Sequence, residues 1–170
     1  RKDLRNAVES AAKAGASWAK RSAYNRGQIL YRLGEMLEAR REEMIETLVS
    51  FGATKAAATK EVDASTDRLV YYAGWCDKYE QVLGNVNPVA SPHFNFTVTE
   101  AMGVVGVITP DAPALLGLIS MVAPITASGN SVVVKVSESN PYPAILLGEM
   151  LSTSDLPGGV VNLLTGFREE

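Results

Sequence analysis

Gly103-Val104-Val105-Gly106-Val107-Ile108-Thr109-Pro110 opens the stretch that decides the fold. Its centre, Val104 to Ile108, is a short apolar run with β-branched residues, which suits a strand buried on both faces. Thr109-Pro110-Asp111-Ala112-Pro113 then breaks the run. Leu115, Leu116, Ile119, Val122 and Ala123 follow at helical spacing, and Gly129 stands where a left-handed C-cap belongs. Ser131-Val132-Val133-Val134-Lys135 reads as a second buried strand. Ser139-Asn140-Pro141 starts another helix, carrying Ile145, Leu146, Glu149 and Met150. Leu156-Pro157-Gly158-Gly159 turns the chain into a third strand, Val160 to Leu164. Strand, helix, strand, helix, strand with tight loops predicts the α/β class, as a doubly wound half-sheet with parallel strands.

Moving towards the N-terminus, the composition changes near residue 84. Before it the chain is rich in Ala, Arg, Lys and Glu; after it come all 8 prolines and most valines. The first part, residues 1–84, therefore reads as helical. Leu4, Val8, Ala11 and Ala12 recur at helical spacing towards Trp18. Ile29, Leu30, Leu33, Leu37, Met44, Ile45 and Leu48 form one apolar stripe opposite Arg40, Arg41, Glu42 and Glu43, ending at Phe51-Gly52. A third helix is expected from about Thr54 to about Tyr79, with Val62, Leu69, Val70 and Ala73 inward and Lys60, Glu61, Asp63 and Asp67 outward. Between the helices and the sheet, residues 85–101 alternate polar and apolar from His93 to Thr99. That is the period of a ribbon with one wet face. Three segments result: 1–84, 85–101 and 102–170.

The bulk composition narrows the possible functions. The 170 residues, 46% of them hydrophobic and 21% charged, fit one ordinary folded domain. A net charge of -3 offers no basic surface for nucleic acid or an anionic membrane. No run approaches ~20 apolar residues, so no membrane-spanning helix is expected. The charged start, RKDLRNAVESAAKAG, is unlike a signal peptide. One Cys and one His leave no internal disulfide and no protein-only metal site, and fit a reducing, cytoplasmic compartment. The chain begins at Arg1 rather than Met, so both ends are treated as arbitrary.

In an open parallel sheet, ligands bind beyond the carboxyl ends of the strands. Thr109-Pro110-Asp111, Lys135-Val136-Ser137-Glu138 and Thr165-Gly166 fall there. Lys135 and Glu138 place a cation and a carboxylate at the rim, and both can bond to hydroxyls. The same pair can also simply mark where a strand reaches water, and spacing alone leaves both readings open. No Gly-x-Gly-x-x-Gly follows any strand, so a pyrophosphate would have to be held from elsewhere. Cys76, in Tyr72-Ala73-Gly74-Trp75-Cys76-Asp77, lacks the cationic or helix-start surroundings of a reactive thiol and reads as a packing residue. His93 reads as a surface residue.

Several blocks together resemble the aldehyde dehydrogenase superfamily. Glu100-Ala101-Met102-Gly103-Val104-Val105-Gly106-Val107-Ile108-Thr109-Pro110 is similar to its pattern E-P-x-G-V-V-G-x-I-x-P. Ser128-Gly129-Asn130-Ser131-Val132-Val133-Val134-Lys135-Val136-Ser137-Glu138 resembles A-G-N-T-V-V-x-K-P-S-E. Leu156-Pro157-Gly158-Gly159-Val160-Val161-Asn162 with Thr165-Gly166 looks like L-P-x-G-V-V-N-x-x-x-G, and Tyr71 to Lys78 is close to Y-Y-A-G-W-A-D-K. The resemblance implies a Rossmann-like fold, NAD as cofactor and an aldehyde as substrate. It assigns Thr109, Pro110, Lys135, Ser137 and Glu138 to cofactor binding. Lys135 and Glu138 fall on the adenosine ribose hydroxyls, and Thr109 and Pro110 on the wall of the nicotinamide side. A carboxylate at Glu138 favours NAD over NADP, because it repels a 2′-phosphate. Residues near 85–101 match the ribbon through which family subunits associate, which implies a homo-oligomer.

The departures bear on the chemistry. Where the family carries W-N-[FY]-P, this chain has Asp111, Ala112, Pro113 and Ala114. The family Asn helps hold the oxyanion of the thiohemiacetal, and Ala112 has no side-chain donor. The resemblance places the nucleophilic Cys and general-base Glu beyond residue 170, so the 170 residues alone are expected to be inactive. Two functions follow. The chain is the front part of an NAD-dependent dehydrogenase that oxidises an aldehyde to a carboxylic acid. Alternatively, as Ala112 suggests, it belongs to a non-catalytic module retained for assembly.

Overall fold

A computed structural model describes residues 1–167. Helices occupy the N-terminal part: α1 (Lys2–Trp18), α2 (Ala23–Ala39), α3 (Arg41–Ser50), α4 (Lys55–Trp75) and the short α5 (Tyr79–Leu83). A two-stranded antiparallel ribbon follows, β1 (Val86–Asn87) with β2 (Asn95–Phe96). The rest is β3 (Val104–Ile108), α6 (Ala114–Ala127), β4 (Ser131–Lys135), α7 (Tyr142–Thr153) and β5 (Val161–Leu164). The last three strands form the expected parallel sheet in the order β3-β4-β5. Its register sets Ile108 beside Lys135 and Lys135 beside Leu164, so the three strands reach their carboxyl edge at one level.

The pleat of β4 explains the layering. Val132 and Val134 point to one face, where they join the main core with Leu115, Ile119, Leu147 and Met150 from α6 and α7. Leu33, Leu37, Leu48, Val62 and Leu69 from α2, α3 and α4 complete that core behind α6. Val133 points the other way, against Ala7 and Ala11 of α1. β4 is thus covered on both faces, as its apolar run predicts. β3 is not: its burial alternates, with Val104, Gly106 and Ile108 exposed. It is an edge strand that α1 covers only in part, and the expectation of burial on both faces is corrected there.

Other expectations change in detail. The stripe from Ile29 to Leu48 is two helices, parted at Arg40, where the backbone leaves the helical region at φ -109° and ψ 25°. The Arg40 guanidinium holds Glu43 at 2.6 Å and reaches Glu149 of α7 at 2.9 Å. Both helices face the same core, so the apolar period runs through the break without a signal. In α1 the buried face is Ala7, Ala11 and Trp18, whereas Leu4, Val8 and Ala12 are exposed. Small residues face the sheet because the helix lies close to it: a Cβ on Gly15 would sit 2.9 Å from the Ser131 hydroxyl. Val70 is exposed rather than inward, and the third helix ends at Trp75. The ribbon has no dry face, since Phe94, Phe96 and Val98 are all exposed. Gly129 caps α6 at φ +83° as expected, with Asn130 N–H donating to the Ile125 carbonyl.

Candidate functional site

Three loops meet at the carboxyl edge of the sheet. Lys135 ends β4, and its Nζ donates to Oε1 of Glu138, three residues on, at 2.7 Å. Both side chains stay about a third exposed, at 30% and 33%. Between them Val136 and Ser137 are buried, so only the two ends of this four-residue turn reach solvent. The Ser137 hydroxyl donates to Asp111 Oδ1 at 2.8 Å and accepts the Asn140 N–H at 3.1 Å. Across the strand boundary, Thr109 N–H donates to the Lys135 carbonyl at 3.1 Å. The structure thus brings Thr109, Lys135, Ser137 and Glu138 to one edge. Pro110 packs beside them against α6, where a Cβ on Gly117 would meet its ring at 2.5 Å.

A cleft of about 710 Å³ opens on the α1 side of this edge. Leu4 and Val8 of α1 line it with Val104, Ile108, Lys135 and Gly166. The exposed apolar residues of α1 and β3 thus share one opening, which Lys135 lines from the sheet and Arg1 from the start of the chain. Thr109, Pro110, Ser137 and Glu138 stand at the same edge without lining that cleft.

The fit of a dinucleotide differs between its two ends. Lys135 as donor and Glu138 as acceptor suit a vicinal diol, as a ribose presents. The pyrophosphate has no cradle after the first strand. In doubly wound sheets that group sits on the N-terminus of the following helix. Here the first backbone donors of α6 are taken: Leu115 and Leu116 N–H donate to Glu61 Oε1 at 2.8 and 3.2 Å. The carboxylate of α4 caps α6 and complements its dipole. Glu61 is therefore turned inward to α6 rather than outward, a correction that helical spacing had no means of supplying.

Ala112 is exposed in the loop just before α6, and its methyl group offers no hydrogen bond. Cys76 is buried, its thiol donating to the Tyr72 carbonyl, and burial pushes its pKa up to about 11. It is a neutral packing group remote from the edge. His93 is exposed in the ribbon, with Nδ1 2.8 Å from the Ser91 hydroxyl. Among the described residues there is no cluster of His, Cys, Asp and Glu able to hold a metal ion, and no helix long and apolar enough to cross a membrane.

Comparison with known proteins agrees with this architecture. The family model described as "Aldehyde dehydrogenase family" matches residues 1–170. The mitochondrial aldehyde dehydrogenase of Rattus norvegicus is 34% identical over 95% of this chain and 31% of its own length. The crystal structure of HpcC from Thermus thermophilus superposes over 99% of this chain and 33% of that one, with a TM-score of 0.94 and 30% identity. An NAD+ complex of aldehyde dehydrogenase from Bacillus cereus superposes equally well, at a TM-score of 0.94 and 29% identity, covering 99% of this chain and 35% of that one. The chain spans about a third of the length of these proteins. With the motifs in register on the sheet and the family model spanning every residue, this chain belongs to the aldehyde dehydrogenase family.

Proposed function

We propose that this chain supplies the adenosine-binding side of an NAD-dependent aldehyde dehydrogenase that oxidises an aldehyde to a carboxylic acid. The observation that carries the reading is the Lys135–Glu138 pair at the carboxyl edge of the parallel sheet, 2.7 Å apart and open to solvent. Lys135 Nζ donates to a ribose hydroxyl and the Glu138 carboxylate accepts from one, each exchanging part of its mutual bond for a bond to the ligand. Glu138 also disfavours a 2′-phosphate, which selects NAD over NADP. Thr109 and Pro110 wall the nicotinamide side. The chemistry that bound NAD supplies is hydride acceptance. The 170 residues alone bind without turning over an aldehyde, the nucleophile and general base being supplied by residues outside them. A cytoplasmic location is part of the proposal and rests on the single Cys, which fits a reducing compartment.

Lys135→Ala tests this directly. NAD affinity measured by calorimetry is expected to fall by about 1–3 kcal/mol, the worth of a charge-assisted bond. NADP is expected to bind more weakly than NAD to the unmodified chain. Equal NAD affinity with and without the lysine would return Lys135 to the role of a strand end.

The ribbon supports a homo-oligomer as part of the same proposal. Val86, Phe94, Phe96 and Val98 are all exposed on residues 85–101. Clustered apolar groups of that kind favour association with a second copy. Phe96→Glu is expected to shift the protein to a smaller species in sedimentation velocity; an unchanged distribution would remove the ribbon from the interface.

A second reading, a non-catalytic module kept for assembly, is favoured by one observation, the donorless Ala112 in the loop before α6. Aldehyde-dependent NADH formation by the protein that carries this chain, lost on mutation of that protein's own nucleophilic cysteine, would refute it.

A further inference from the structure

We propose that Asp111 is a positioning residue: it clamps the β3–α6 loop to the β4–α7 loop through Ser137 and so holds Lys135 and Glu138 in the geometry that grips a ribose. This rests on the reading of the carboxyl edge as a nicotinamide dinucleotide site. It concerns Asp111, a position where the chain departs from the W-N-[FY]-P pattern of the family it resembles.

The geometry is specific. Asp111 Oδ1 accepts the Ser137 hydroxyl at 2.8 Å, and the Ser137 oxygen in turn accepts the Asn140 N–H at 3.1 Å. Ser137 is only 5% exposed. A buried hydroxyl whose orientation is fixed by a carboxylate on one side and an amide on the other leaves its backbone one arrangement. Ser137 lies between Lys135 and Glu138, whose side chains meet across the same turn at 2.7 Å. Thr109, two residues before Asp111, is bonded to the Lys135 carbonyl at 3.1 Å. The 109–111 segment therefore holds the rim at two points, the end of β4 and the middle of the turn. Without the carboxylate, the second point is lost and the turn carrying Glu138 keeps its tether through β4 and the bonds that Ser137 makes within its own loop, to the Asn140 N–H and, at 3.2 Å, the Ser139 hydroxyl.

The clamp needs an acceptor at position 111 rather than a charge, and this separates it from a purely electrostatic role. In Asp111→Asn the side-chain oxygen still accepts from Ser137; in Asp111→Ala no group of the β3–α6 loop does, and the hydroxyl is left the Ser139 oxygen of its own loop at 3.2 Å. Asp111→Ala is expected to weaken NAD binding about tenfold and Ser137→Ala at least as much, because it also removes the acceptor of the Asn140 N–H; the double variant is expected to lose no more than Ser137→Ala, since the Asp111–Ser137 bond is already absent there. Asp111→Asn is expected to stay within about twofold of the unmodified chain. Amide exchange supplies a readout that needs no ligand. The Asn140 N–H is expected to exchange about tenfold faster in Asp111→Ala and near the original rate in Asp111→Asn.

The outcomes separate the two claims. If the unmodified chain binds no NAD, the proposed function fails, while the exchange rates still decide the clamp. If NAD binds and Lys135→Ala weakens it, but Asp111→Ala alters neither affinity nor exchange, the clamp is overturned. Faster exchange without a change in affinity, or additive losses in the double variant, overturns it as a positioning device. A loss of affinity in Asp111→Asn as large as in Asp111→Ala overturns it in favour of a charge effect.

Discussion

Ala112→Asn is expected to raise aldehyde turnover by about 10²–10³, in a protein that joins this chain to a catalytic cysteine, if the missing donor is what limits the reaction. A side-chain donor aimed at a developing oxyanion acts only where charge appears in the transition state. Ala112 stands in the exposed loop between Pro110 and the first residue of α6, and it is neither buried nor packed in the core. Exchanging it for a small polar residue is expected to change stability by no more than about 0.5 kcal/mol. The variant therefore tests chemistry rather than folding. Steady-state kinetics gives a sharp reading: a rise in kcat with little change in KM is the mark of an interaction made only in the transition state. Unchanged kinetics in an already active protein would show that another group holds the oxyanion. Complete inactivity in both forms would favour the assembly module.

The same loop shows how far the sequence could be read. Buried apolar runs and turn residues were enough to predict three parallel strands with two crossover helices, because β4, buried on both faces, dictates its own pattern. The rim residues Lys135 and Glu138 were also legible, since a charged pair at the end of an apolar strand is a one-dimensional signal. Glu61 was not. Helical spacing put it on the outer side of α4, yet its carboxylate is used by the N-terminus of α6, 54 residues further on. The Asp111–Ser137 bond was hidden for the same reason, since the motif that contains Ser137 says nothing of Asp111 and only the sheet register brings their loops together. Leu4 and Val8 misled in the opposite direction. Their helical spacing is real, but alanines and glycine on the neighbouring stripe allow α1 to lie close to the sheet. The larger side chains are left at the mouth of the cleft instead.

Trp18→Ala is expected to destabilise the fold by about 3–5 kcal/mol, the largest effect of any single truncation in the N-terminal half. Trp18 is fully buried, in a cluster with Ile29 and Val160 that joins the end of α1 to α2 and to the start of β5. Its indole N–H donates to the Thr126 carbonyl at 3.0 Å, an oxygen at the end of α6 that also accepts the Gly129 N–H at 3.1 Å. Arg26 donates to the neighbouring Ala127 carbonyl, also at 3.0 Å. Two side chains from the helical half thus close the C-terminus of a helix in the sheet half. Removing the indole opens a cavity and takes one of two donors from a buried carbonyl that keeps the Gly129 N–H. Trp18→Phe keeps most of the volume but not the donor, so it is expected to cost about 0.5–1.5 kcal/mol, the net worth of one hydrogen bond to a carbonyl that keeps another donor. The loss should begin locally. With α1 loosened, Val133 and Leu164 lose their cover, and proteolysis within residues 2–18 is expected before the rest of the chain unfolds. Chemical denaturation of both variants, with limited proteolysis under native conditions, checks the order. If Trp18→Phe proves as damaging as Trp18→Ala, the bond to Thr126 rather than the packed volume secures α1 to the sheet.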